Sequence, residues 1–247
     1  MLIALPNAFG DAITNMAIDA TLLATIPTDL AAFRHYGWLE PATTFGYAQG
    51  YHAVENITDK DMTLVRRMTG GGIVDHRNDW TYALILHRSL PCSVIPANAL
   101  YERIHRAIHL ALQEMNVESC LAPCPKDCNA PQSQAKQTPP ETRILRPVSQ
   151  CFVTPAANDV LRRDGQKIAG AAMKRTRQGL LIQGSLDRDA LPENFDWAQF
   201  QSRLLTKLTS ILSLPIGQLD DIRPLFNSEQ IEHEKERFAD QRWNQKR

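Results

Sequence analysis

The sequence predicts an α/β protein in which helices flank a sheet, and two stretches of the chain carry this prediction. Residues 80–87 read Trp-Thr-Tyr-Ala-Leu-Ile-Leu-His, a nearly continuous apolar run that is typical of a central strand buried on both faces. Residues 97–115 repeat apolar side chains every three or four positions, which indicates a helix with one buried face, and Pro96 suits its start. That face comprises Leu100, Ile104, Ile108, Ala111, Leu112 and Met115.

The chain before residue 80 predicts one helix and several short strands. Residues 11–24 carry apolar side chains at helical spacing, after Pro6 has ended a first strand. Aromatic and β-branched residues favour strands in the segments that follow, which Gly37 and Pro41 separate. The predicted strands are residues 2–5, 30–36, 43–47 and 63–67, and a strand that begins at Ile73.

The second half of the chain begins with a change of composition. Residues 116–147 are dominated by Pro, Gln, Ser, Lys and Thr and show no periodicity, so we expect a long, flexible surface loop. The pair Asp164-Gly165 predicts a tight hairpin, and residues 179–186 have the pattern of another strand. The predicted C-terminal elements are a helical segment over residues 195–241, with helices at 197–212 and 227–240, and a frayed tail at 242–247.

The composition is that of an ordinary globular protein with one sizeable core. The chain has 247 residues, of which 43% are hydrophobic and 22% are charged, so we predict a single domain over residues 1–247. Lysine plus arginine and aspartate plus glutamate are equal at 27 each, which argues against nucleic acid or an anionic membrane as a partner. No segment approaches the roughly 18 apolar residues that a membrane-spanning helix needs, and the N-terminus lacks a secretion signal. We therefore expect a cytoplasmic protein.

The cysteines indicate free thiols. They are odd in number and no secretion signal accompanies them, which argues against a disulfide framework. Three of them follow a Cys-x3-Cys-x3-Cys pattern that prolines interrupt and that has no fourth ligand nearby, so we predict no metal site there. The five are Cys92, Cys120, Cys124, Cys128 and Cys151.

His105 and His109 stand four residues apart on the predicted helix, a spacing that can chelate zinc. The glutamate that follows the first histidine in zinc proteases is absent, because Arg106 occupies its place. We therefore expect both histidines to be partly exposed helix residues without a metal.

Residues 64–76 suggest a binding site more strongly than any other stretch. They read Leu-Val-Arg-Arg-Met-Thr-Gly-Gly-Gly-Ile-Val-Asp-His, so that two arginines lead into three glycines and an apolar strand. Glycine lets main-chain N–H groups approach a ligand without a Cβ in the way, and neighbouring arginines suit an anion or a polarised carbonyl. The alternative is a glycine hairpin with solvated arginines at Arg66 and Arg67, because a glycine run alone does not specify a site.

The same string resembles the Arg-Arg-x-Ser/Thr-Gly-Gly-Gly/Arg-x-Val-x-His pattern of the lipoate/octanoate attachment family. This family comprises lipoate-protein ligases and octanoyltransferases and is related to biotin protein ligase. Residues 158–172, Asn-Asp-Val-Leu-Arg-Arg-Asp-Gly-Gln-Lys-Ile-Ala-Gly-Ala-Ala, are similar to the family's Gly-x-Lys-hydrophobic-x-Gly-Ser/Ala-Ala element. The resemblance covers about residues 1–190.

The resemblance implies the fold of the biotin/lipoate protein ligase catalytic domain, a mixed, largely antiparallel sheet flanked by helices. Residues 11–24 look like the family's N-terminal helix, whose part we expect to be structural.

The resemblance also places two candidate catalytic residues in this chain. Lys167 stands where the family keeps its essential lysine, and Cys151 belongs to a Cys-Phe pair like that of octanoyltransferases with a catalytic cysteine. A thiolate suits the exchange of thioesters, and a nearby ammonium lowers the pKa of the thiol and steadies the developing oxyanion. The alternative for Cys151 is a small buried apolar residue.

The resemblance implies a substrate-binding set around the two motifs. His76 is interpreted either as a residue that ties down a turn or as one that lines the site. The implied substrate-binding residues are Arg67, Gly70, Gly71, Gly72, Ile73, Val74, Asp75, His76, Gly170, Ala171 and Ala172.

The sequence leaves three functions open. The first is an acyltransferase, without a cofactor, that moves an octanoyl or lipoyl group from acyl carrier protein through a thioester on Cys151 to the lysine of a lipoyl domain. Such domains belong to the E2 components of 2-oxoacid dehydrogenases and to the glycine cleavage H protein. The second is an ATP-dependent lipoate-protein ligase working through lipoyl-adenylate, in which Asp159 helps to hold Mg²⁺ and nucleotide; the ligase-like triple glycine favours it. The third is a non-catalytic scaffold that binds lipoyl domains or acyl carriers.

Overall fold

A computed structural model describes residues 1–123 and 155–246. Helices and strands both contribute to the core, and the predicted fold class is confirmed. The helices are α1 (Ala12–Thr25), α2 (Tyr51–Glu55), α3 (Ala97–Gln113), α4 (Trp197–Leu212), α5 (Ser228–Ala239) and α6 (Gln241–Asn244). The strands are β1 (Leu2–Ala4), β2 (Ala8–Gly10), β3 (Ala31–Trp38), β4 (Ala42–Phe45), β5 (Thr63–Arg66), β6 (Ile73–Asp75), β7 (Asp79–His87), β8 (Ser119–Leu121), β9 (Val160–Arg162), β10 (Lys167–Arg175), β11 (Gly179–Asp187) and β12 (Ile216–Gly217).

The main sheet is mixed and has the strand order β12-β1-β3-β7-β11-β10-β9-β8, with β2 beside β3. Its centre is antiparallel, because β7 pairs in that sense with both β3 and β11. The apolar run predicted as a central strand therefore lies where the sequence places it. Side chains alternate along β7: Tyr82, Leu84 and Leu86 face α3 and α4, whereas Ala83 and Ile85 face α1. Cover on both faces explains why this strand is apolar at nearly every position.

A small second sheet has the order β5-β4-β6 and carries the triple-glycine turn between β5 and β6. Phe45, Val54 and Ile73 form its own apolar cluster. The turn leaves this sheet towards the main one, and the two sheets together position the cavity described below.

Helix starts follow capping signals in the sequence. Asp11 accepts a hydrogen bond from the Thr14 amide at 2.7 Å and begins α1, and Asp196 caps α4 in the same way. Asn227 accepts from the Gln230 amide at 2.9 Å, which confirms the predicted start of the last long helix. These local bonds satisfy N–H groups that have no partner within the helix.

The loop predicted over residues 116–147 begins later than expected. Ser119–Leu121 forms β8 and pairs antiparallel with β9. The prediction was wrong here because three residues are too few to show a strand period. Residues 124–147, with Cys124 and Cys128, lie outside the described residues.

The C-terminal tail was wrongly predicted to fray. The Asn244 carbonyl accepts from Arg66 Nε at 3.0 Å and Nη2 at 2.7 Å, and its side-chain oxygen accepts from the Arg66 amide. Trp243 donates its indole N–H to the Arg66 carbonyl at 2.8 Å. The partner of the tail lies 178 positions earlier in the chain, so local composition gives no sign of it. Arg66 is fully buried, which excludes the solvated arginine of the alternative interpretation.

Within the described residues, none of the helices combines the length and apolar character that crossing a membrane requires.

We expect that deleting residues 241–247 lowers the free energy of unfolding by about 3 kcal/mol, because the buried Arg66 guanidinium loses charged hydrogen bonds. Denaturant unfolding measures the change. Arg242→Ala is the matched control, since that side chain is 92% exposed, and it should shift stability by less than about 0.5 kcal/mol. A truncated protein as stable as the control would contradict this account of the tail.

Candidate active site

A narrow cavity lies between the main sheet, α1 and the triple-glycine turn. Its walls come from β10 and β11 of the main sheet and from the small sheet, so residues distant in sequence meet there. The lining residues are Met16, Tyr36, Trp38, Thr44, Arg67, Gly71, Val74, His76, Thr81, Gly170, Ala171, Ala172, Gln183, Gly184 and Ser185. A narrow, largely apolar cavity of this kind suits a ligand with a hydrocarbon part.

Arg67 braces the triple-glycine turn. Its Nη2 donates to the carbonyls of Gly70 at 2.9 Å and Gly72 at 2.8 Å, and its Nη1 donates to Thr44 Oγ1 at 2.8 Å. Gly71 has a φ of +83°, and a Cβ added there would lie 3.3 Å from Ala172 Cβ across the cavity wall. Glycine is therefore needed at this position for its backbone conformation and for the close approach of the turn to β10.

Lys167 does not itself line the cavity, and its ammonium lies beside Gly170, which does. Lys167 is only 4% exposed, and its Nζ lies 2.7 Å from Asp159 Oδ2. A Cβ added to Gly170 would lie 2.6 Å from that Nζ, so the missing side chain at Gly170 makes room for the ammonium. The register of β10 against β9 shifts between Lys167 and Ala169, a bulge of the kind that re-aims a side chain. Since Gly170 lines the cavity, the charge of Lys167 reaches its edge.

Asp159 is fully buried and holds several donors besides Lys167. Its Oδ2 also accepts from the Ala156 amide at 2.6 Å, and its Oδ1 accepts from the Tyr101 hydroxyl. Burial raises the pKa of the Tyr101 phenol, and the charge of Asp159 raises it further, so the phenol stays a donor. The same Tyr101 oxygen accepts from the Ala171 amide at 3.2 Å.

His76 combines both roles that the sequence left open. It lines the cavity, and it is also fixed, with Nδ1 2.8 Å from Asp79 Oδ2 and Nε2 2.7 Å from Thr44 Oγ1. Its ring stacks on Trp38 with the ring centroids 3.8 Å apart. Because Arg67 also donates to Thr44, the histidine and the glycine turn share one hydrogen-bond network.

The structure brings together most of the predicted site residues. Arg67, Gly71, Val74, His76, Gly170, Ala171 and Ala172 line the cavity, whereas Gly70, Gly72, Ile73 and Asp75 do not. Ile73 and Asp75 lie on the opposite face of β6 from Val74, as strand alternation requires. Ile73 therefore packs in the small sheet's cluster, and Asp75 bonds to Arg77 at the surface. Cys151 lies outside the described residues.

Sequence reasoning missed the contribution of α1 and β11. The helix predicted to be structural supplies Met16 to the cavity wall. It also supplies the buried Asp19, which accepts from Gln183 Nε2 at 2.8 Å, while Gln183 Oε1 accepts from Thr69 at 2.7 Å. The sequence does contain a sign that β11 contributes to the site, because Gln183 and Ser185 are polar residues in an otherwise apolar strand. The other lining residues that were missed are Tyr36, Trp38, Thr44, Thr81 and Gly184.

His105 is fully buried, so the expectation of a partly exposed helix histidine was wrong for it. Its ring packs on Tyr101 with the ring centroids 4.0 Å apart. Burial lowers the pKa of His105 to about 4, so the ring is neutral near the Lys167 ammonium at neutral pH. His109 bonds instead to the Ser119 hydroxyl at 2.9 Å.

Comparison with known proteins gives a consistent result. The family model for the lipoyl protein ligase A/B catalytic domain matches residues 11–234. The octanoyltransferase LipM of Oceanobacillus iheyensis is 31% identical over 208 residues, which cover 79% of this chain and 67% of that protein. The octanoyltransferase LipM of Halalkalibacterium halodurans is 28% identical, with 92% of this chain and 80% of that protein covered.

Solved structures share the fold at low sequence identity. Lipoate-protein ligase A bound with ATP has a TM-score of 0.72 at 14% identity, covering 98% of this chain and 97% of that chain. A bi-partite lipoate protein ligase from Thermoplasma acidophilum, described with its E2 lipoyl domain, has a TM-score of 0.69 at 14% identity, covering 98% and 95%.

We expect the burial of His105 to make the protein less stable in acid. Below about pH 6.5 the unfolded chain binds a proton at this ring, whereas the folded protein does so only near pH 4, so stability falls as the pH decreases through this window. Over this pH range, His105 should lower the free energy of unfolding by about 3 kcal/mol. The measurement is denaturant unfolding of the parent and of His105→Leu at several pH values, and the difference between their pH dependences gives the contribution of His105. Parallel pH dependence in the two proteins would refute the assignment.

Proposed function

The chain belongs to the lipoyl protein ligase A/B catalytic domain family, and on this premise we propose that it transfers an octanoyl group through Cys151. Octanoyl transfer in protein lipoylation is its activity, as in the octanoyltransferases that are 27–31% identical to most of this chain. Lipoyl domains are the acceptors. The donor that we propose is octanoyl acyl carrier protein, and the proposed acceptors are the E2 components of 2-oxoacid dehydrogenases and the glycine cleavage H protein.

The observation that carries the proposal is the ammonium of Lys167 at the edge of a narrow cavity. An octanoyl chain can be sheltered from water along its apolar walls, with the carbonyl directed towards Gly170, beside which the Lys167 ammonium lies. Negative charge develops on the carbonyl oxygen when a nucleophile adds to it. A fixed positive charge in a water-poor setting stabilises that charge strongly, because little reorganisation is needed during the reaction.

The proposed reaction has two acyl-transfer steps. The Cys151 thiolate adds to the thioester carbonyl of the donor, and the carrier thiolate leaves and takes up a proton. The amine of the acceptor lysine then adds to the new thioester, a carbon–nitrogen bond forms, and the Cys151 thiolate leaves as the amine proton departs. Thioester exchange between thiols is nearly balanced in energy, which suits a covalent relay. The assignment of Cys151 rests on its sequence match and on thiol chemistry.

The geometry of Asp159 does not favour the ligase alternative. A ligase would use ATP and Mg²⁺, and Asp159 was its candidate ligand. The carboxylate is fully buried, and Lys167, the Ala156 amide and Tyr101 already donate to its two oxygens. A magnesium ion at this carboxylate would have to displace the Lys167 ion pair. This supports a transferase that needs neither ATP nor Mg²⁺, which we propose here.

The function is tested by incubating the protein with octanoyl acyl carrier protein and measuring its intact mass. We expect an octanoyl adduct that hydroxylamine removes and that Cys151→Ala abolishes. Cys120→Ala is the matched control, because this cysteine is exposed on β8, and it should keep the adduct. Modification of a lipoyl domain by free lipoate that requires ATP and survives Cys151→Ala would establish the ligase instead. Binding of either partner with neither activity would establish the scaffold.

Gly170→Ala should reduce octanoyl transfer by about 100-fold, because its methyl group would lie 2.6 Å from Lys167 Nζ and displace the ammonium. The measurement is the single-turnover rate of adduct formation, with thermal unfolding to confirm the fold. Gly50→Ala is the control, since the nearest atom to its added Cβ is Ala53 Cβ at 4.0 Å. Equal rates in the two variants would show that the space at Gly170 does not matter for transfer.

A further inference from the structure

The hydroxyl of Tyr101 links three structural elements next to the proposed reaction centre. It projects from α3, donates to Asp159 Oδ1 just before β9, and accepts from the Ala171 amide in β10. Ala171 lines the cavity, and Asp159 holds the Lys167 ammonium. A single phenol oxygen therefore touches both the cavity strand and the carboxylate that orients the charge.

The Ala171 contact has a topological cause. β9 is three residues long, and it pairs with β10 at Lys167 and Ala169 but not at Ala171. The Ala171 amide thus lies beyond the paired part of this edge of β10, and the Tyr101 oxygen takes the place of a strand carbonyl. A buried amide without such an acceptor would destabilise the strand that forms the cavity wall.

The Asp159 contact limits how the carboxylate can turn. The Ala156 amide and Lys167 share Oδ2, while Tyr101 binds Oδ1. With donors on both oxygens, the carboxylate plane is fixed, and the direction in which Oδ2 presents itself to Lys167 is fixed with it. Removing the Oδ1 donor would weaken the hold on the carboxylate plane and, through Oδ2, on the position of the ammonium.

Resting on the proposed function, we propose that Tyr101 is a positioning residue for octanoyl transfer. It acts through Asp159, whose orientation sets where the Lys167 ammonium meets the carbonyl at the cavity edge. His105 packs on the ring of Tyr101 and supports its position. Tyr101 itself exchanges no proton with the substrate.

The test replaces Tyr101 with phenylalanine, which keeps the ring on His105 and removes only the hydroxyl. We expect kcat for octanoyl transfer to fall by at least roughly tenfold, with KM for octanoyl acyl carrier protein changed by less than about twofold. Tyr82→Phe is the matched control: it is a buried tyrosine of the same core, and its hydroxyl has no hydrogen-bond partner within residues 1–123 and 155–246. Its kcat should equal that of the parent.

Two further variants show whether Tyr101 acts through Asp159. Asp159→Asn and the double variant Tyr101→Phe/Asp159→Asn should have the same kcat, because the hydroxyl has nothing left to orient. The proposal is overturned if the losses of kcat in Tyr101→Phe and Asp159→Asn multiply in the double variant. It is also overturned if Tyr101→Phe has the same kcat as Tyr82→Phe.

Should Tyr101→Phe fail to fold, 4-aminophenylalanine at position 101, which retains a donor, is compared with the parent. It should restore at least half of the parent kcat, and a tenfold loss in the folded protein would overturn the proposal.

A measurement that does not depend on catalysis separates this inference from the function on which it rests. We expect reductive methylation of Lys167, followed by peptide mass, to be at least several-fold faster in Tyr101→Phe than in Tyr82→Phe. If the parent forms no octanoyl adduct but this difference is found, the proposed function fails, whereas the finding that Tyr101 holds the Lys167 ammonium in place through Asp159 stands without it. If the adduct forms and the methylation rates are equal, the positioning role fails alone.

Discussion

The buried ion pair between Lys167 and Asp159 is the interaction on which the rest of the site depends. Two charges removed from water are stable only when their geometry is good and their remaining hydrogen-bonding capacity is used. The chain meets both conditions with Tyr101 and the Ala156 amide, which bind the carboxylate, and with Gly170, which leaves room for the ammonium. The bulge in β10 directs the lysine into that space. Catalysis at this site would use a charge that is already in position, rather than one that must be ordered when the substrate arrives.

Buried charge also organises the opposite wall of the cavity. Arg67 holds the carbonyls of the triple-glycine turn, and Arg66 gathers the carbonyls of Tyr47, Gln49 and Asn244. Backbone carbonyls are neutral acceptors, and by bonding several of them each guanidinium fixes the chain around it. The two adjacent arginines of the motif therefore have different structural tasks. One shapes the turn, and the other joins the loop after β4 to the C-terminus.

The sequence allowed much of the fold to be predicted, because the information for it is local. Capping residues such as Asp11 and Asn227, the apolar run of β7 and the Asp164-Gly165 turn each act within a few positions. The motifs that contain Lys167 and the glycine turn could be recognised because each is contiguous in the sequence. The failures share a cause: the burial of His105, the docking of Asn244 and the part played by Met16 are set by elements far away in the chain. Ile73 and Asp75 were assigned to the site as part of a contiguous motif, although strand alternation turns them away from the cavity.

The docking of α6 on Arg66 bears on the order in which the protein can form during synthesis. Arg66 leaves the ribosome 178 residues before Asn244, the carbonyl of which its guanidinium bonds in the finished protein. Domains begin to fold from the N-terminus as the chain emerges, yet the Asn244 acceptor for this guanidinium is made much later than β5. Until Asn244 has been synthesised, this acceptor is absent from the nascent chain. The contact that fixes β5 to α6 is thus a late one in the formation of the small sheet's surroundings.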